Sequence, residues 1–202
     1  NNVVDTEHDA IKGAPTLKEV SIEDLLPRDE IRVDLESVAE SLRGRRVLIT
    51  GSAGSIGSEI VRQEASFGPS SLMLIDSAET PQHDIRRMMA RDFPSVPCAT
   101  VVTSITKADR MENIFKTFLP EYVFHAAAYK HVPMMEDNPC ESIQNNVLGT
   151  KILADLSVKY GVLRFVMVST DKAVNPTNVM GASKRMCEMI VQSRGDSNTA
   201  FA

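Results

Sequence analysis

The chain has 202 residues, 43% of them hydrophobic and 24% charged, which is enough for one buried core. Its net charge of -5 and isoelectric point near 5.4 exclude the basic surface typical of proteins that bind nucleic acid. The three cysteines and four histidines show neither a CxxC motif nor metal-ligand spacing, so we expect no disulfide framework and no metal. No apolar run approaches the roughly 20 residues of a membrane helix, and the polar first residues are no signal peptide. We therefore expect a soluble, cytoplasmic chain without a membrane span.

The first part of the chain differs from the rest. Residues 1–43 are acidic and lack a strand and helix rhythm, although 21–26 and 34–42 have the pattern of short helices. We interpret 1–43 as a leader segment that packs on the domain formed by 44–202.

From residue 44 onward, apolar runs alternate with helical patterns. The predicted strands cover 47–49, 72–75, 99–102, 122–124 and 164–169. The predicted helices cover 55–67, 81–93, 108–119, 140–159 and 179–193. This alternation predicts right-handed βαβ units and therefore an α/β fold, a Rossmann-type doubly wound parallel sheet. A turn at 195–197 precedes a further apolar residue, which predicts that a sixth strand opens near the last residues.

A glycine-rich turn joins the first predicted strand to the first predicted helix. Gly51 permits a tight turn, Gly54 lets a pyrophosphate approach the backbone, and Gly57 allows close packing of helix on strand. Ser55 and Ile56 lie in the first helical turn, whose unpaired N–H groups attract an anion. The motif therefore predicts a dinucleotide site.

Two further strand ends extend this predicted site. Asp76, next to Ser77, ends the second strand at the spacing at which an acid binds the adenosine ribose, which favours NAD over NADP. NADP stays open as the less favoured alternative because two arginines follow on the next helix. After the fourth strand, Ala126 and Ala127 either let a dinucleotide pass close to the backbone or form a plain packing turn.

The fifth strand ends in a polar sequence. Asp171 and Lys172 are opposed proton-transfer groups at the carboxyl end of an apolar strand, where ligands bind in open α/β sheets. Lys184 follows on the next predicted helix. A solvated ion pair is the alternative interpretation, but the glycine motif upstream favours an active site.

Four segments carry a resemblance to a known family: TGSAGSIGSE, HAAAYKHVPMMEDNP, NNVLGT and VSTDKAVNPTNVMGASKR. Together they resemble the extended short-chain dehydrogenase/reductase superfamily, and within it the UDP-N-acetylglucosamine 4,6-dehydratases of polysaccharide biosynthesis. Common members use a YxxxK pair, but here Met180 stands in place of the tyrosine and has no ionisable proton. The resemblance implies that Asp171 and Lys172 transfer the protons.

The resemblance also implies roles for residues around this pair. Thr170 orients the sugar, Lys184 keeps its cofactor role, and Ser169 lies at the cofactor. Lys130 and His131 contact the cofactor or the sugar, with a solvated loop pair as the alternative. Ser104 and Ile105 stand near the adenine, where the family commonly has Asp and Ile. Asn146 resembles the structural asparagine of the family.

The implied reaction makes chemical demands that can be stated in advance. Hydride moves from sugar C4 to NAD, a base takes the C5 proton, an acid protonates the departing C6 hydroxyl, and hydride returns to C6. We assign Lys172 as the base and Asp171 as the acid, and expect burial to keep both neutral. The alternatives are a 4-epimerase, which needs no C6 acid, and a truncated, non-catalytic dinucleotide-binding module.

The resemblance sets expectations about the wider protein as well. The family continues with a carboxyl-terminal substrate lobe for the uridine diphosphate, which is absent from this chain. Full-length relatives often carry membrane helices, which would place the parent protein at the cytoplasmic face of the inner membrane. The helix predicted at 140–159 and the methionines at 186 and 189 predict a homo-oligomer with two-fold symmetry, or else ordinary core packing.

Overall fold

The part of the chain with a described structure begins at the second of the two predicted leader helices. A computed structural model describes residues 34–202, and the helix predicted at 21–26 lies outside this range. Helix α1 spans Leu35–Leu42, as predicted. Its last residue, Leu42, is buried in a cluster that includes Val47 and Leu72. Residues 35–202 form one unit, and a division of the chain at residue 44 stays a prediction.

Six parallel strands form the sheet. They are β1 Arg46–Thr50, β2 Ser71–Asp76, β3 Cys98–Val102, β4 Tyr122–His125, β5 Arg164–Met167 and β6 Ala200–Phe201. Their order across the sheet is β3-β2-β1-β4-β5-β6, and every neighbouring pair is parallel. This order confirms the predicted Rossmann-type fold and the predicted sixth strand. It also brings the carboxyl ends of β1, β2, β4 and β5 to one edge of the sheet, where ligands bind in such folds.

The connections between the strands are helical. They are α2 Ser55–Ser66, α3 Glu79–Asp92, α4 Ala108–Phe118, α5 Val132–Asp137, α6 Pro139–Ser142, α7 Gly149–Lys159 and α8 Val179–Gln192. A 3₁₀ turn covers Asp171–Ala173, and a π-helix covers Ile143–Leu148. The single helix predicted at 140–159 is therefore three consecutive segments, because a wider π turn interrupts it. Strand β5 ends two residues earlier than predicted, and residues 168–170 form a loop.

Buried side chains on the two faces of the sheet form two clusters. Val47 and Ile49 pack with helices α1, α2 and α3, whereas Leu48 faces the opposite cluster, built with α4, α7 and α8. This alternation follows from the two-residue period of a strand. Since helices cover both faces, the strands read as continuous apolar runs. The ends of the strands are then the part of the sheet available to a ligand.

No helix within residues 34–202 combines the length and the apolar character needed to cross a membrane. In the same range, no group of three or more acidic, histidine or cysteine side chains could hold a metal ion.

Candidate functional site

Two of the three motif glycines are required by the packing of the protein itself. Gly51 has a φ of 69°, and a Cβ atom there would lie 2.5 Å from the backbone nitrogen of Ala127. A Cβ atom on Gly57 would lie 1.9 Å from the carbonyl oxygen of Gly51. Both contacts are with backbone, which cannot move aside cheaply. The first turn of α2 thus packs directly on the turn after β1, as the sequence predicted.

Gly54 is different, because the fold does not require a glycine there. Its φ of -73° suits any residue, and the nearest atom to an added Cβ is the Gly51 oxygen at 3.3 Å. Gly54 is the N-cap residue of α2, and no side chain caps this helix. The uncapped N–H groups and the absence of a side chain at Gly54 fit a phosphate group of a dinucleotide, since helix amino termini attract anions.

The carboxylate of Asp76 holds the glycine turn to the end of β2. Its Oδ2 atom accepts a hydrogen bond from Ala53 N at 3.0 Å, and Oδ1 accepts one from Ala78 N at 2.9 Å. Both partners are backbone groups, so the negative charge stays at a defined position beside the cleft described next. The sequence predicted a ribose contact for Asp76, but it did not reveal this bracing role.

A cleft of about 260 Å³ lies between these strand ends. Eight of the predicted cofactor residues line it: Gly51, Gly54, Asp76, Ser77, Ser104, Ile105, Ala126 and Ala127. Ala53 of the glycine motif and Ala128 of the HAAAYK segment also line it, while the sequence missed Ile75, Ala78, Pro81, Thr103, Tyr129 and Asn145. The remaining predicted cofactor residues, Ser55, Ile56, Gly57, Lys130, Ser169 and Lys184, lie outside this lining. The structure therefore brings the glycine turn, the β2 acid and the small residues after β4 to one cleft.

One wall of this cleft depends on Ser104 and Ile105. The Ser104 hydroxyl lies 2.8 Å from the Thr106 hydroxyl and accepts a hydrogen bond from Thr106 N at 3.2 Å. Ile105 is buried, and a Cβ atom added to Gly149 would lie 2.4 Å from its Cδ1 atom. The glycine at the start of α7 therefore leaves room for the side chain that forms the wall.

A buried histidine ties three elements together next to the cleft. His125 Nδ1 lies 2.7 Å from the hydroxyl of Thr50, and Nε2 lies 2.9 Å from the hydroxyl of Thr150. Burial, with a smaller contribution from the charge of Lys184, lowers the pKa of His125 to about 3. His125 is thus a neutral, packed histidine that links β1, β4 and α7.

The π-helix supplies a second anchor, Asn146. Its Oδ1 atom accepts a hydrogen bond from Tyr129 N at 2.8 Å, and its Nδ2 atom donates to Tyr129 O at 3.0 Å. Nδ2 also lies 2.9 Å from the hydroxyl of Ser183 on α8. Asn146 therefore fixes the loop after β4 against α8. Its place in the NNVLGT segment was the sequence signal for this role.

Helix α8 brings Met180 and Lys184 to the same region, and both are buried. The Lys184 ammonium donates a hydrogen bond to Val168 O at 2.7 Å, at the end of β5. Burial lowers the pKa of Lys184. Met180, which stands in place of a tyrosine, cannot exchange a proton with a ligand.

The 3₁₀ turn after β5 presents Asp171 and Lys172. Lys172 Nζ lies 3.4 Å from Asp171 Oδ1, and the two side chains are 49% and 87% exposed, respectively. The Thr170 hydroxyl donates to the same Oδ1 atom at 2.9 Å. This hydrogen bond and the charge of Lys172 lower the pKa of Asp171. The expectation that burial raises the pKa of Asp171 was wrong. Water reaches the carboxylate, and its neighbours stabilise the anion.

The other predicted residues lie around these groups. The Ser169 hydroxyl donates to Glu188 on α8 at 2.6 Å. Lys130 Nζ lies 3.5 Å from the Ser55 hydroxyl, at the first turn of α2. His131 is the N-cap residue of α5 and is exposed. Lys130 is therefore within reach of the glycine turn, and Ser169 is tied to the helix that carries Lys184.

Comparisons with known proteins agree with this arrangement. The family model described as polysaccharide biosynthesis protein matches residues 47–202. The capsular polysaccharide biosynthesis protein CapD of Staphylococcus aureus is 42% identical over 184 residues, which cover 91% of this chain and 31% of CapD. A UDP-N-acetylglucosamine 4,6-dehydratase (inverting) of Campylobacter jejuni is 32% identical over 142 residues, 70% of this chain and 41% of that protein.

A solved structure extends the comparison to the fold. The UDP-glucose 4-epimerase of Thermus thermophilus in complex with NAD has a TM-score of 0.64 and 27% identity, and the match covers 74% of this chain and 50% of the epimerase. The chain thus spans between about a third and a half of the length of these three proteins. Since the family model matches most of the chain, including every strand from Val47 onward, the chain belongs to the polysaccharide biosynthesis protein family.

Proposed function

We propose that the protein acts as an NAD-dependent sugar-nucleotide 4,6-dehydratase in the synthesis of a bacterial surface polysaccharide or glycan. The substrate in this proposal is UDP-N-acetylglucosamine, and the product is its UDP-linked 4-keto-6-deoxy sugar. One observation carries the proposal: Met180 is buried and cannot exchange a proton, while Asp171 and Lys172 stand accessible at the end of β5. The resemblance to the Campylobacter jejuni dehydratase supports the same reaction.

The residues around the cleft fit a nicotinamide dinucleotide. The glycine turn would hold the pyrophosphate, Asp76 the adenosine ribose, Ser104 and Ile105 the base, and Lys184 the nicotinamide ribose. When bound, NAD would accept hydride from sugar C4 and return hydride to C6. The fixed carboxylate of Asp76 supports NAD over NADP, because a 2′-phosphate would meet like charge there.

The proposed proton transfers belong to the turn after β5. Lys172 accepts the C5 proton, which the neighbouring 4-keto group makes acidic, and Asp171 donates a proton to the departing C6 hydroxyl. In the free chain the pair is exposed, and the pKa of Asp171 is lowered. A sugar that covers this turn would remove water from both groups, which raises the pKa of an acid and lowers that of an amine. We propose that the substrate itself creates the protonation states that the reaction needs.

Three other residues are proposed to position the substrate. Lys130 lies 3.5 Å from the first turn of α2, so its ammonium is available to a phosphate group at the glycine turn. His131, next to it, is exposed and available to the sugar. Thr170 adjoins Asp171, to which its hydroxyl donates in the free chain.

Two other functions are separated from this proposal by specific features. A 4-epimerase is favoured by the likeness to the Thermus thermophilus enzyme, but epimerisation at C4 does not use an acid at C6. A non-catalytic dinucleotide-binding module is favoured by the exposure of Asp171 and Lys172, since a site with nothing to position the sugar gives little catalysis.

One incubation distinguishes these functions. The purified chain, and the full-length protein that contains it, are each incubated with NAD and UDP-N-acetylglucosamine in heavy water. A dehydratase yields a sugar nucleotide that has lost one water and carries deuterium at C5. An epimerase yields a product of unchanged mass, and a binding module is stabilised by NAD but yields no product. Absence of the dehydrated product from the full-length protein would refute the proposal.

We also propose an assembly with two-fold symmetry and, for the full-length protein, a location at the cytoplasmic face of the inner membrane. Met186 and Met189 are 44% and 57% exposed on α8, which leaves apolar surface for a second copy. Light scattering tests the assembly, and a monomer mass of 22.2 kDa at high concentration would contradict it.

A further inference from the structure

The amino terminus of helix α8 is held by a residue from a different part of the chain. Val179 N donates a hydrogen bond to Oε1 of Glu136 at 2.7 Å, and Gly181 N donates to Oδ1 of Asn178 at 2.7 Å. Asn178 is the local cap of the helix. Glu136 lies on α5, 43 positions earlier in the chain. Two N–H groups at the start of α8, which have no acceptor within the helix, are therefore bound by side chains. One of these side chains is a carboxylate from a distant part of the chain.

The start of α8 also touches the turn that carries the proposed base. A Cβ atom added to Gly181 would lie 2.3 Å from the carbonyl oxygen of Lys172. The backbone of the turn thus rests on the first turn of the helix, with no side chain between them. Any shift of the helix start would be transmitted to Lys172, because the two backbones are in direct contact.

Glu136 follows closely after the other proposed substrate contacts. Helix α5 begins immediately after His131 and ends at Asp137. The Glu136 carboxylate thereby joins the element that follows Lys130 and His131 to the helix start on which Lys172 rests. Asn146 ties the loop before Lys130 to α8 as well, but its side chain bonds to Tyr129 and Ser183 and not to the first residues of the helix or to the turn of Lys172.

We infer that Glu136 is a positioning residue of the proposed dehydratase site, one that sets the distance between the Lys130 and His131 loop and the Asp171 and Lys172 turn. This inference rests on the proposed function. Glu136 is exposed and Val179 is only partly buried, so replacing Glu136 leaves no fully buried donor without a partner, and the fold is expected to survive. Its effect is on geometry near the reacting atoms rather than on the chemistry of a proton.

Three variants separate a positioning hydrogen bond from a general effect of charge. Glu136→Ala removes the acceptor and the charge, whereas Glu136→Gln keeps a carbonyl oxygen that can accept from Val179 N. Asp137→Ala is the matched control, because Asp137 is the exposed carboxylate next in the same helix and its side chain has no hydrogen bond among the described residues.

The first measurement is amide hydrogen exchange on the purified chain, which needs no substrate. The reporters are Val179 and two amides of the 3₁₀ turn, Ala173 and Val174, which donate to Thr170 O and Asp171 O at 3.1 Å. Glu136→Ala should raise exchange at all three sites, while Glu136→Gln and Asp137→Ala should leave it unchanged. Unchanged exchange at the turn in Glu136→Ala would overturn the inference, and so would equal effects of the Ala and Gln variants.

The second measurement is turnover of UDP-N-acetylglucosamine by the full-length protein. Glu136→Ala should lower kcat by roughly tenfold or more, since small misplacements of reacting groups cost rate, and should leave the Kd for NAD within about twofold. Glu136→Gln should keep the kcat of the unsubstituted protein. A parallel loss of NAD affinity and kcat would indicate a merely structural role and reject the inference. If the unsubstituted protein yields no dehydrated product, the proposed function fails, while the exchange data still decide whether Glu136 holds the turn.

Discussion

The turn after β1 and the turn after β5 lie at the same edge of the sheet, but different forces hold them. In the first turn, Gly51 and Gly57 pack backbone against backbone, and the carboxylate of Asp76 braces the loop between them. In the second turn, Asp171 and Lys172 are open to water, and the Asp171 carboxylate is contacted by the Thr170 hydroxyl and the Lys172 ammonium. The first geometry is formed in the free chain, whereas the ionisation states of the second depend on what covers it.

This difference separates binding from reaction. A preformed cradle can take a dinucleotide without rearrangement, which reduces the cost of binding. An exposed ion pair gains little by being formed. In the proposed function, the cofactor half of the site is therefore preformed, whereas the turn after β5 takes up its working state only when the substrate covers it.

We expect the largest effects from two glycine substitutions in the turn after β1, one at Gly57 and one at Gly54. Gly57→Val should prevent stable folding, since its Cβ would lie 1.9 Å from a backbone oxygen. Gly54→Val should be far less disruptive to the fold, because its Cβ would lie 3.3 Å from the Gly51 oxygen, a tight contact that needs only a small shift, but its branched side chain would fill the space proposed for the pyrophosphate. Thermal unfolding with and without NAD measures both.

The unsubstituted chain should gain about 2.7 kcal/mol of stability at an NAD concentration a hundredfold above Kd. The Gly54→Val chain should gain nothing. An unchanged melting curve of the unsubstituted chain in millimolar NAD would contradict the cofactor assignment, and a full shift in Gly54→Val would contradict the role of Gly54.

Substitutions in the turn after β5 should abolish the reaction but leave the binding of NAD intact. In the full-length protein, Lys172→Met should abolish C5 proton exchange and dehydration while NAD still binds. Asp171→Asn should keep some C5 exchange in heavy water but lower loss of the C6 hydroxyl by about 10² to 10⁴, the usual contribution of a general acid. Product formation and deuterium at C5 are measured by mass spectrometry.

A control tests whether position 180 matters instead. Met180→Tyr should not rescue Lys172→Met, because the buried methionine and the exposed lysine occupy different places. Dehydratase activity of Lys172→Met within about tenfold of the unsubstituted protein would show that another group is the base.

Two buried titratable groups, Glu64 and His125, should make the free energy of unfolding depend on pH. Glu64, on the helix that follows the glycine turn, is buried, and burial raises its pKa from 4.5 to about 8. Between these values the folded chain holds a proton that the unfolded chain releases, so stability falls as pH rises. For His125, whose pKa falls from 6.5 to about 3, the unfolded chain binds the extra proton, so stability rises with pH up to 6.5.

The two slopes oppose each other between pH 4.5 and 6.5, and only the Glu64 slope continues to about pH 8. We therefore expect a decline of about 1.4 kcal/mol per pH unit above pH 6.5, measured by urea unfolding. Glu64→Gln should remove this decline, and Glu40→Gln, an exposed carboxylate on α1, controls for the loss of charge. The same decline in Glu64→Gln would disprove the assignment.

The smallest expected effect concerns the wall of the cleft. Gly149→Ala places a methyl group 2.4 Å from Ile105 Cδ1, so the isoleucine must move. Overpacking of this kind costs about 1 kcal/mol of folding stability. Since Ile105 lines the cleft, we expect the binding of NAD to be weakened by a similar free energy, or roughly fivefold in Kd. Calorimetric titration measures it, with Gly195→Ala as the control because its Cβ meets one atom, at 3.4 Å. Equal affinities of the two variants would show that Ile105 does not shape the site.

Much of the fold and of the binding half of the site could be predicted from local patterns. The apolar runs at 47–49 and 72–75 became β1 and β2, and the glycine motif became a turn with the expected packing. These features follow from the period of a strand and from the local contact between Gly57 and Gly51, whereas the contact of Gly51 with Ala127 joins distant parts of the chain. The helix ends at 118 and 192 also differ from prediction by only one residue.

The proton-transfer half could be located from sequence, but its electrostatics could not. The motif placed Asp171 and Lys172 at the end of a strand, which is confirmed. The pKa of Asp171 is lowered by the hydrogen bond from the Thr170 hydroxyl and by the charge of Lys172. Both residues are neighbours in the sequence, but the exposure of the carboxylate and the geometry of these contacts are properties of the folded turn. Similarly, the π-helix at Ile143–Leu148 interrupts a stretch that reads as one continuous helix.

The sequence by itself thus determined the order of strands and helices, the position of the glycine turn and the identity of the groups at each strand end, because these depend on local periodicity and backbone freedom. The tertiary structure alone decided which of these groups meet. Thr50 and His125 are 75 positions apart, and Glu136 and Val179 are 43 apart. Such contacts form only when the parallel strands align, and the burial that sets each pKa is a property of that alignment.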